Sequence, residues 1–288
     1  MNPKRFDYFA PESLDEAIKI LKEKEDAKIL AGGQSLIALM KLRLASPQAL
    51  VDLNRVQDNL SYIKDEKNYL AVGAMTTHDA VQQNEIIKQK FMLLNDAASK
   101  IGDQQVRNRG TIGGSCCHAD PAADLPTALL ALNPTFVARG PNGHRQINYN
   151  DFFVDTFTTS LERDEILTEI RIPYLEPGFC SAYIKHSRRE GDFAIVGVGT
   201  ALVIDKTDNC KDARISLGAV APTPIRANKA ERYLIGKKLT QQVIEEASER
   251  AREGADPPSD MHGSKEYRLD MIKVFARRAI KLALSRVK

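Results

Sequence analysis

The chain has 288 residues, of which 43% are hydrophobic and 27% are charged, with 17 glycines and 13 prolines. This composition supplies enough apolar side chains for a buried core and too little bias for a disordered or collagen-like protein. Its 41 basic and 38 acidic residues leave a formal net charge of +3, which is too small for a protein whose main task is to bind nucleic-acid phosphates. No apolar run of about 18 residues is present, so no membrane span is predicted.

The four cysteines, Cys116, Cys117, Cys180 and Cys210, have a spacing that fits neither a CxxC metal pair nor a disulfide framework. The residues after Met1 lead into no apolar segment of the kind that secretory signals carry. Both observations predict a protein that works in the reducing cytoplasm.

The first part of the chain mixes helices and strands. Ser13 and Glu16 form a capping box at a helix start, and apolar residues then recur on one helix face as far as Leu21. A strand then runs directly into Gly32-Gly33, where the next helix begins. The pattern predicts strands at 28–30, 50–53 and 69–72 and further helices at 79–90 and 91–101.

A break at Pro177-Gly178 separates two patterns. The elements predicted before it are a short helix at 127–132, hairpin strands at 135–139 and 145–149, and a strand at 166–172. After it come strands at 181–186, 194–205 and 213–220, then only helices, at 227–235, from a Thr240 cap to Gly254, and from a Ser264 cap onward. Strands followed by helices indicate an α+β unit, so we predict one domain over 1–177 and a second over 178–288.

Two segments carry paired glycines with a serine close behind, and they are named here the first Gly-Gly segment (residues 31–35) and the second Gly-Gly segment (residues 111–115). Paired glycines let consecutive backbone N–H groups converge on an anion without a Cβ in the way. Either segment alone is weak support for a ligand, because most such pairs mark turns. Together they fit a pyrophosphate held from both sides. Neither matches G-x-G-x-x-G or G-x-x-x-x-G-K-[ST], which disfavours a Rossmann site and a P-loop.

Several motifs in fixed order resemble one family. They are Ile29-Leu30-Ala31-Gly32-Gly33-Gln34-Ser35-Leu36, Met40-Lys41-Leu42-Arg43, Asn108-Arg109-Gly110-Thr111-Ile112-Gly113-Gly114, Asp120-Pro121 with Asp124-Leu125-Pro126, Arg188-Arg189-Glu190-Gly191-Asp192-Phe193-Ala194, and Gly263-Ser264-Lys265-Glu266-Tyr267-Arg268. The chain is similar, over nearly its whole length, to the FAD-binding medium subunit of the molybdenum hydroxylases. That family includes xanthine dehydrogenases, aerobic carbon monoxide dehydrogenases and aldehyde oxidoreductases.

The resemblance implies the FAD-binding fold of p-cresol methylhydroxylase and vanillyl-alcohol oxidase. In that fold, two α/β subdomains, here about 1–56 and 57–177, clasp FAD. A C-terminal three-stranded antiparallel sheet with a helix bundle follows, here over 178–288. The α+β class indicated by the pattern of elements agrees with this expectation.

The resemblance also implies which residues contact FAD. The pyrophosphate positions are Ile29, Leu30, Ala31, Gly32, Gly33, Gln34, Ser35 and Leu36, together with Thr111, Ile112, Gly113, Gly114 and Ser115. Asp124 matches a carboxylate that holds the adenosine ribose, and Ile101, Leu167 and Lys185 match positions that line the cofactor. Phe193 stands where some relatives place Tyr against the isoalloxazine ring, so ring packing is kept and a phenol hydrogen bond is lost. Ser115 departs from the Asn or Asp that is usual there.

Each predicted FAD contact outside the two Gly-Gly segments could instead have a purely structural role. Asp124 could cap the helix predicted at 127–132, and Lys185 could be a strand lysine that faces water. Phe193 and Leu167 could belong to the core, and Ile101 could be the last apolar residue of its helix. Only their joint occurrence favours a flavin site.

Cys116-Cys117-His118 offers soft and imidazole ligands close together, but adjacent cysteines do not easily present both sulfurs to one tetrahedral ion. As a nucleophile pair, cysteine and histidine have no visible orienting partner here. We therefore predict no metal site and no catalytic residue in this chain. The two adjacent cysteines are predicted to be small buried residues beside the second Gly-Gly segment.

The resemblance implies an FAD-carrying electron-transfer subunit. A large subunit with a molybdopterin-type molybdenum cofactor oxidises the substrate, and a small subunit passes electrons through two [2Fe–2S] clusters to the FAD. The expected complex is a dimer of heterotrimers, and the motifs look most like the carbon monoxide and aldehyde branch. Two alternatives stay open: a self-sufficient FAD oxidase of the same fold, and a non-catalytic nucleotide-binding scaffold.

Overall fold

The computed structural model describes residues 2–57 and 59–287. The N-terminal region is a small parallel sheet with helices. Its elements are β1 (Asp7–Phe9), α1 (Leu14–Glu23), β2 (Ala27–Leu30), α2 (Leu36–Lys41), β3 (Ala49–Asp52) and a 3-10 turn (Leu53–Arg55). The strand order is β1-β3-β2, with both pairings parallel. The predicted Ser13 cap is confirmed, because Ser13 Oγ accepts a hydrogen bond from Glu16 N at 3.2 Å, and the Glu16 carboxylate accepts from Glu12 N at 3.0 Å. The apolar face of α1 packs in a core with β2 and β3.

The middle region places a five-stranded antiparallel sheet against a group of short helices. Its elements are β4 (Ile63–Asp65), β5 (Tyr69–Gly73), α3 (His78–Gln83), α4 (Glu85–Lys90), α5 (Met92–Ser99), α6 (Gln104–Arg109), α7 (Ile112–His118), α8 (Asp124–Leu130), β6 (Thr135–Gly140), β7 (Gly143–Asn148), α9 (Tyr149–Phe152), β8 (Phe153–Asp155), β9 (Thr158–Thr159) and β10 (Ile166–Pro173). The sheet order is β4-β5-β10-β6-β7, and Phe136 stacks on Phe152 in the core at a centroid distance of 3.8 Å.

Two predicted helices of this region have different bounds in the structure. The single helix predicted at 79–90 is wrong, because Asn84 has extended backbone angles, ends α3 and caps α4 by accepting from Ile87 N at 3.1 Å. The helix predicted at 127–132 begins earlier, at Asp124. Pro126 is tolerated there because the first helical turn needs no donor from its missing N–H.

The C-terminal region is an antiparallel sheet covered by helices. Its elements are β11 (Phe179–His186), β12 (Val196–Ile204), β13 (Cys210–Gly218), β14 (Ile225–Arg226), α10 (Asn228–Leu234), α11 (Gln241–Ala251) and α12 (Lys265–Leu284). The predicted three-stranded sheet is corrected to four strands in the order β11-β12-β13-β14. The fourth strand has only two residues, too few for a recognisable alternation. The Thr240 and Ser264 caps are confirmed, since their hydroxyls accept from Val243 N and Tyr267 N.

The middle and C-terminal regions contact each other along β11. The helix α5 packs on β11, and Arg286 near the chain end donates to Asp96 Oδ2 of α5 at 2.6 Å and to the Ser181 carbonyl at 2.9 Å. The mixed helix and strand content agrees with the predicted α+β class. Within the described residues, no helix is both long and apolar enough to cross a membrane.

Candidate functional site

The first Gly-Gly segment connects β2 to α2 and exposes a row of backbone donors. Gly33 has a φ of 73°, a conformation that favours glycine. The amides of Gly32, Gly33, Gln34 and Ser35 donate no hydrogen bond to any residue within 2–57 and 59–287. Unpaired, consecutive N–H groups are the arrangement that binds anionic oxygens. This part of the prediction therefore has direct geometric support.

The segment borders a cavity of about 330 Å³ that carries positive charge. Lys41 at the end of α2 and Arg109 at the end of α6 line the cavity together with Gly32 and Gly33. Neither cation forms a salt bridge within the described part of the chain. Two unpaired cations beside free amides can neutralise a bound phosphate group.

The sequence prediction missed Lys41 and Arg109 as site residues. Both lie inside motifs that carry the family resemblance, Met40-Lys41-Leu42-Arg43 and Asn108-Arg109-Gly110. The local signal was therefore present, but only the folded chain brings the ends of α2 and α6 to one cavity.

Close backbone contact explains why Gly32 is a glycine. A Cβ on Gly32 would lie 1.9 Å from the carbonyl oxygen of Arg109, so no side chain fits there. Asn54 fixes the preceding residue by donating from Nδ2 to the Ala31 carbonyl at 3.1 Å, and Asp52 in turn accepts from Asn54. The first Gly-Gly segment is thus held between β3 and the end of α6.

The second Gly-Gly segment is the first turn of α7, where the sequence predicted a loop of free amides. Ile112 N donates to the Thr76 carbonyl and Gly113 N to the Ala74 carbonyl, both at 2.9 Å. Gly114 N donates to Thr111 Oγ1 at 3.1 Å. The predicted loop geometry is wrong, because Thr111 caps a helix and the carbonyls of the turn that follows β5 accept from Ile112 and Gly113. Free amides for an anion therefore come from the first segment.

The two segments nevertheless lie side by side. A Cβ on Gly114 would be 3.6 Å from the Cβ of Ala31, and a Cβ on Gly113 would overlap Ala74. Gly114 is therefore in contact with the first segment, and both Gly114 and Ser115 are half-buried. Their contact with a cofactor stays a prediction.

Asp124 and Lys185 form a buried ion pair. Lys185 Nζ lies 2.9 Å from Asp124 Oδ2, with the two side chains only 3% and 6% exposed. Tyr183 donates its hydroxyl to Asp124 Oδ1 at 2.8 Å. Burial raises the pKa of Asp124, and the adjacent Lys185 ammonium opposes that rise. Both oxygens of the carboxylate thus have a partner from β11.

This pair rules out two of the structural alternatives. Asp124 does not cap its helix, because the N-cap of α8 is Ala123 and the Asp124 side chain is turned into the protein. Lys185 does not face water, since it donates a second hydrogen bond to the Lys100 carbonyl at 2.7 Å. Tyr183 was missed by sequence reasoning, because a tyrosine on an apolar strand carries no signal of its distant carboxylate.

Ile101 and Phe193 lie on two neighbouring loops. Gly191, with a φ of 86°, packs so closely on Gly102 that a Cβ would be 2.9 Å from its carbonyl oxygen. Ile101 is half-buried beside this contact, and Phe193 is 66% exposed. The core alternative for Phe193 is therefore wrong. Leu167 is 4% exposed in the middle core, which agrees with its core alternative.

The adjacent cysteines have different environments. Both are free, and Cys116 is buried whereas Cys117 is exposed as a residue. Burial nevertheless raises the pKa of both thiols, that of Cys116 well above the usual value and that of Cys117 to about 12. His118 packs on Phe157 with ring centroids 5.0 Å apart. Among the residues that the structure describes, no three His, Cys, Asp or Glu side chains could together hold a metal ion.

Comparisons with known proteins match this chain to one family over nearly its whole length. Residues 4–175 match the family model described as the FAD binding domain in molybdopterin dehydrogenase, and residues 181–283 match the CO dehydrogenase flavoprotein C-terminal domain. The chain is 40% identical to the glyceraldehyde dehydrogenase medium chain of Sulfolobus acidocaldarius over 281 residues, or 98% of this chain and 99% of that one. It is 39% identical to the carbon monoxide dehydrogenase medium chain of Hydrogenophaga pseudoflava, with 99% of each covered.

A solved structure agrees with the sequence relatives. It is the carbon monoxide dehydrogenase of Hydrogenophaga pseudoflava in a form that lacks the Mo-pyranopterin moiety, with a TM-score of 0.96, 39% identity and 100% of both chains covered. The family identified from the motifs is thereby confirmed. The chain belongs to the family of FAD-binding medium subunits of the molybdenum hydroxylases, and it is an oxidoreductase subunit whose cofactor is FAD.

Proposed function

We propose that this chain binds FAD along the cavity of the first Gly-Gly segment, takes electrons from a small iron–sulfur subunit and passes them to an external acceptor. The observation that carries the binding site is the row of unpaired amides from residues 32 to 35 beside Lys41 and Arg109. The pyrophosphate of FAD is an anion with several acceptor oxygens, so donors and cations both match it.

The remaining predicted contacts extend from this anchor. We assign the adenosine ribose to Asp124, whose oxygens each accept one hydrogen bond from β11 and retain further lone pairs for a ribose hydroxyl. We assign the isoalloxazine face to Phe193, supported by its exposure next to Ile101 and Gly102. Contacts from Leu167 and from the second Gly-Gly segment stay predictions.

When bound, the flavin accepts electrons singly and releases them in pairs. The residues of this chain bind and orient it. Lys41, Arg109 and the free amides fix the pyrophosphate, Phe193 shields one ring face from water, and the Lys185 ammonium holds the Asp124 carboxyl in place. No side chain of this site has to transfer a proton to or from a substrate.

The family also guides the proposal for the assembly. We propose partners of two kinds, a large subunit with a molybdenum cofactor and a small subunit with two [2Fe–2S] clusters, in a dimer of heterotrimers. The proposed substrate branch is that of carbon monoxide or aldehydes, supported by the likeness to medium chains of those two enzymes. The cytoplasmic location stays a prediction.

We further propose a division into an FAD-binding domain over 1–177, with two α/β subdomains of the p-cresol methylhydroxylase type, and a C-terminal domain over 178–288. The gap between the two family-model matches, 4–175 and 181–283, supports this boundary. The separate sheets of the N-terminal, middle and C-terminal regions support the same division.

Identification of the released chromophore tests the cofactor. The purified full chain is reconstituted with FAD and with FMN, freed of unbound flavin, denatured and analysed by chromatography. We expect FAD in a ratio near one per chain and no covalent flavin, because the site offers a cradle for a diphosphate. Preferential retention of FMN, or retention of neither flavin, would contradict the proposal.

A further inference from the structure

Arg268 is a buried arginine that the proposed site does not use. It lies in the first turn of α12, is 3% exposed and belongs to none of the contacts assigned to FAD. A guanidinium is costly to bury unless hydrogen bonds compensate for its lost hydration. The contacts of Arg268 therefore indicate what it holds in place.

Three acceptors from three separate segments converge on this side chain. Arg268 Nη1 donates to the Ile195 carbonyl at 2.7 Å and to the Ala219 carbonyl at 3.2 Å, and Nη2 donates to Asp260 Oδ2 at 2.7 Å. Asp260 is itself oriented, because its Oδ1 accepts from the amides of His262 and Gly263. The planar fork of arginine fits such divergent acceptors, and a lysine does not.

The Ile195 contact fixes the end of the loop that carries Phe193. This loop, residues 187–195, joins β11 to β12, and its base is closed by Ile195 N, which donates to the His186 carbonyl at 2.7 Å. Arg268 binds the carbonyl of the same residue. On its other side the loop rests on Gly102 through Gly191. Phe193 projects from between these two attachments with its ring exposed to solvent.

We propose that Arg268 is a positioning residue of the cofactor site, which fixes the end of the 187–195 loop and so holds Phe193 against the isoalloxazine ring. This inference rests on the proposed function, since it takes Phe193 as the residue that covers the flavin. Arg268 is too deeply buried to face the cofactor and acts through the Ile195 peptide group. Its removal should therefore change the environment of the flavin ring more than the binding of the pyrophosphate.

A second arginine of the same region provides a matched control. Arg286 also bridges a carboxylate and a strand carbonyl, those of Asp96 and Ser181. Ser181 lies in the first half of β11, and the 187–195 loop follows the end of that strand. Arg286→Lys thus removes the same kind of contact without touching the Phe193 loop.

The test uses the full chain loaded with FAD, in the parent and in Arg268→Lys, Phe193→Ala, the double variant and Arg286→Lys. Each protein is measured for its thermal midpoint, its dissociation constant for FAD, and quenching of flavin fluorescence by iodide. We expect Arg268→Lys and Phe193→Ala each to raise the iodide quenching constant several-fold, with no further rise in the double variant. Arg286→Lys should lower the thermal midpoint and leave the quenching constant unchanged.

A merely structural role gives a different pattern. If Arg268→Lys lowers the thermal midpoint as Arg286→Lys does and leaves iodide quenching at the parent value, the inference is wrong. Where Arg268→Lys does not fold, Asp260→Asn weakens the same clamp from its exposed end, and unchanged quenching in that variant also overturns the inference. A parent chain that retains no FAD contradicts the proposed function, which separates that failure from this one.

Discussion

Single side chains at the first Gly-Gly segment supply charge, while the backbone supplies the hydrogen-bond donors. Gly32 to Ser35 offer free amides, and Lys41 and Arg109 reach the same cavity from two helices. Charge from side chains can be removed one residue at a time without disturbing the backbone. The contribution of each cation to FAD binding is therefore measurable by itself.

We expect Lys41→Ala and Arg109→Ala each to weaken FAD binding by about tenfold or more, because a charge-assisted hydrogen bond contributes roughly 1.5–3 kcal/mol. The dissociation constant is measured by fluorescence titration of the full chain. Lys28→Ala is the control, since Lys28 is an exposed lysine on β2 outside the cavity. Equal losses in all three variants would show that net charge, and not the cavity, controls affinity.

The hydroxyl of Tyr183 is a second residue whose contribution can be isolated. Tyr183→Phe leaves Asp124 buried with one partner fewer, so we expect a loss of about 1–3 kcal/mol of unfolding free energy. The control is Tyr174→Phe, which removes a hydrogen bond to Asp65 at the surface and should cost at most about 0.5 kcal/mol. Urea unfolding of the apoprotein measures both. Equal effects would contradict a special role of the buried carboxylate.

At the scale of elements, the position of α3 is tied to a buried histidine. His78 begins α3, is 5% exposed and packs so tightly on Gly110 that a Cβ there would lie 2.7 Å from its ring. Burial lowers the pKa of His78 to about 4, and Arg107 adds to this effect. The folded protein therefore keeps this imidazole neutral at pH values where an unfolded chain protonates it.

This difference in pKa makes stability depend on pH in a defined direction. Below the ordinary histidine pKa of about 6.5, the unfolded chain binds a proton that the folded chain does not, so stability falls as pH falls toward 4. We expect the loss of unfolding free energy between pH 7 and about 4.5 to be smaller by up to about 2 kcal/mol in His78→Gln. His144→Gln, at an exposed site on β7, should keep the parent profile.

Elements with a local cause were the ones that the sequence could predict. The caps at Ser13, Thr240 and Ser264 depend on residues three positions apart, and all three form. The helix predicted at 79–90 was wrong because Asn84 ends α3 through its backbone and caps α4 through its side chain, a break that a continuous helical pattern conceals. The second Gly-Gly segment was misread because carbonyls of the turn after β5, far away in sequence, accept its hydrogen bonds.

The candidate site shows the same limit. Paired glycines predicted the free amides of residues 32–35, because that conformation is encoded locally. Asp124 lies 61 positions before Lys185 and 59 positions before Tyr183, the two residues that bind its carboxylate. Which strand residue faces which helix is decided by the packing of β11 on the middle region. Only the family resemblance, and not spacing, pointed to Asp124 and Lys185.

At the scale of the whole molecule, the proposed function requires partners. An electron carrier without a cluster of its own needs an iron–sulfur protein docked near its flavin. We expect a tagged version of this chain, purified from its native host, to bring with it a large protein that contains a molybdenum cofactor and a small protein with two [2Fe–2S] clusters. Mass spectrometry, metal analysis and the electron paramagnetic resonance of the reduced sample measure this.

Activity separates the complex from the single chain. The intact complex should reduce its FAD when an oxidisable substrate is added, whereas the isolated FAD-loaded chain should not, because the proposed function assigns substrate oxidation to the partner with the molybdenum cofactor. Bleaching of the flavin absorbance under anaerobic conditions is the measurement. Rapid substrate-dependent bleaching in the isolated chain would instead support the self-sufficient oxidase.

The contact of Gly32 with the Arg109 carbonyl has a consequence for folding. It joins two segments that are far apart in sequence, so the cavity that contains both the free amides and Arg109 is complete only after the N-terminal and middle regions have docked. A ligand that binds only this docked form stabilises it in proportion to the logarithm of its concentration. FAD should therefore stabilise the docked arrangement of the two regions. Amide hydrogen exchange in α2 and in α6 should slow together when FAD binds.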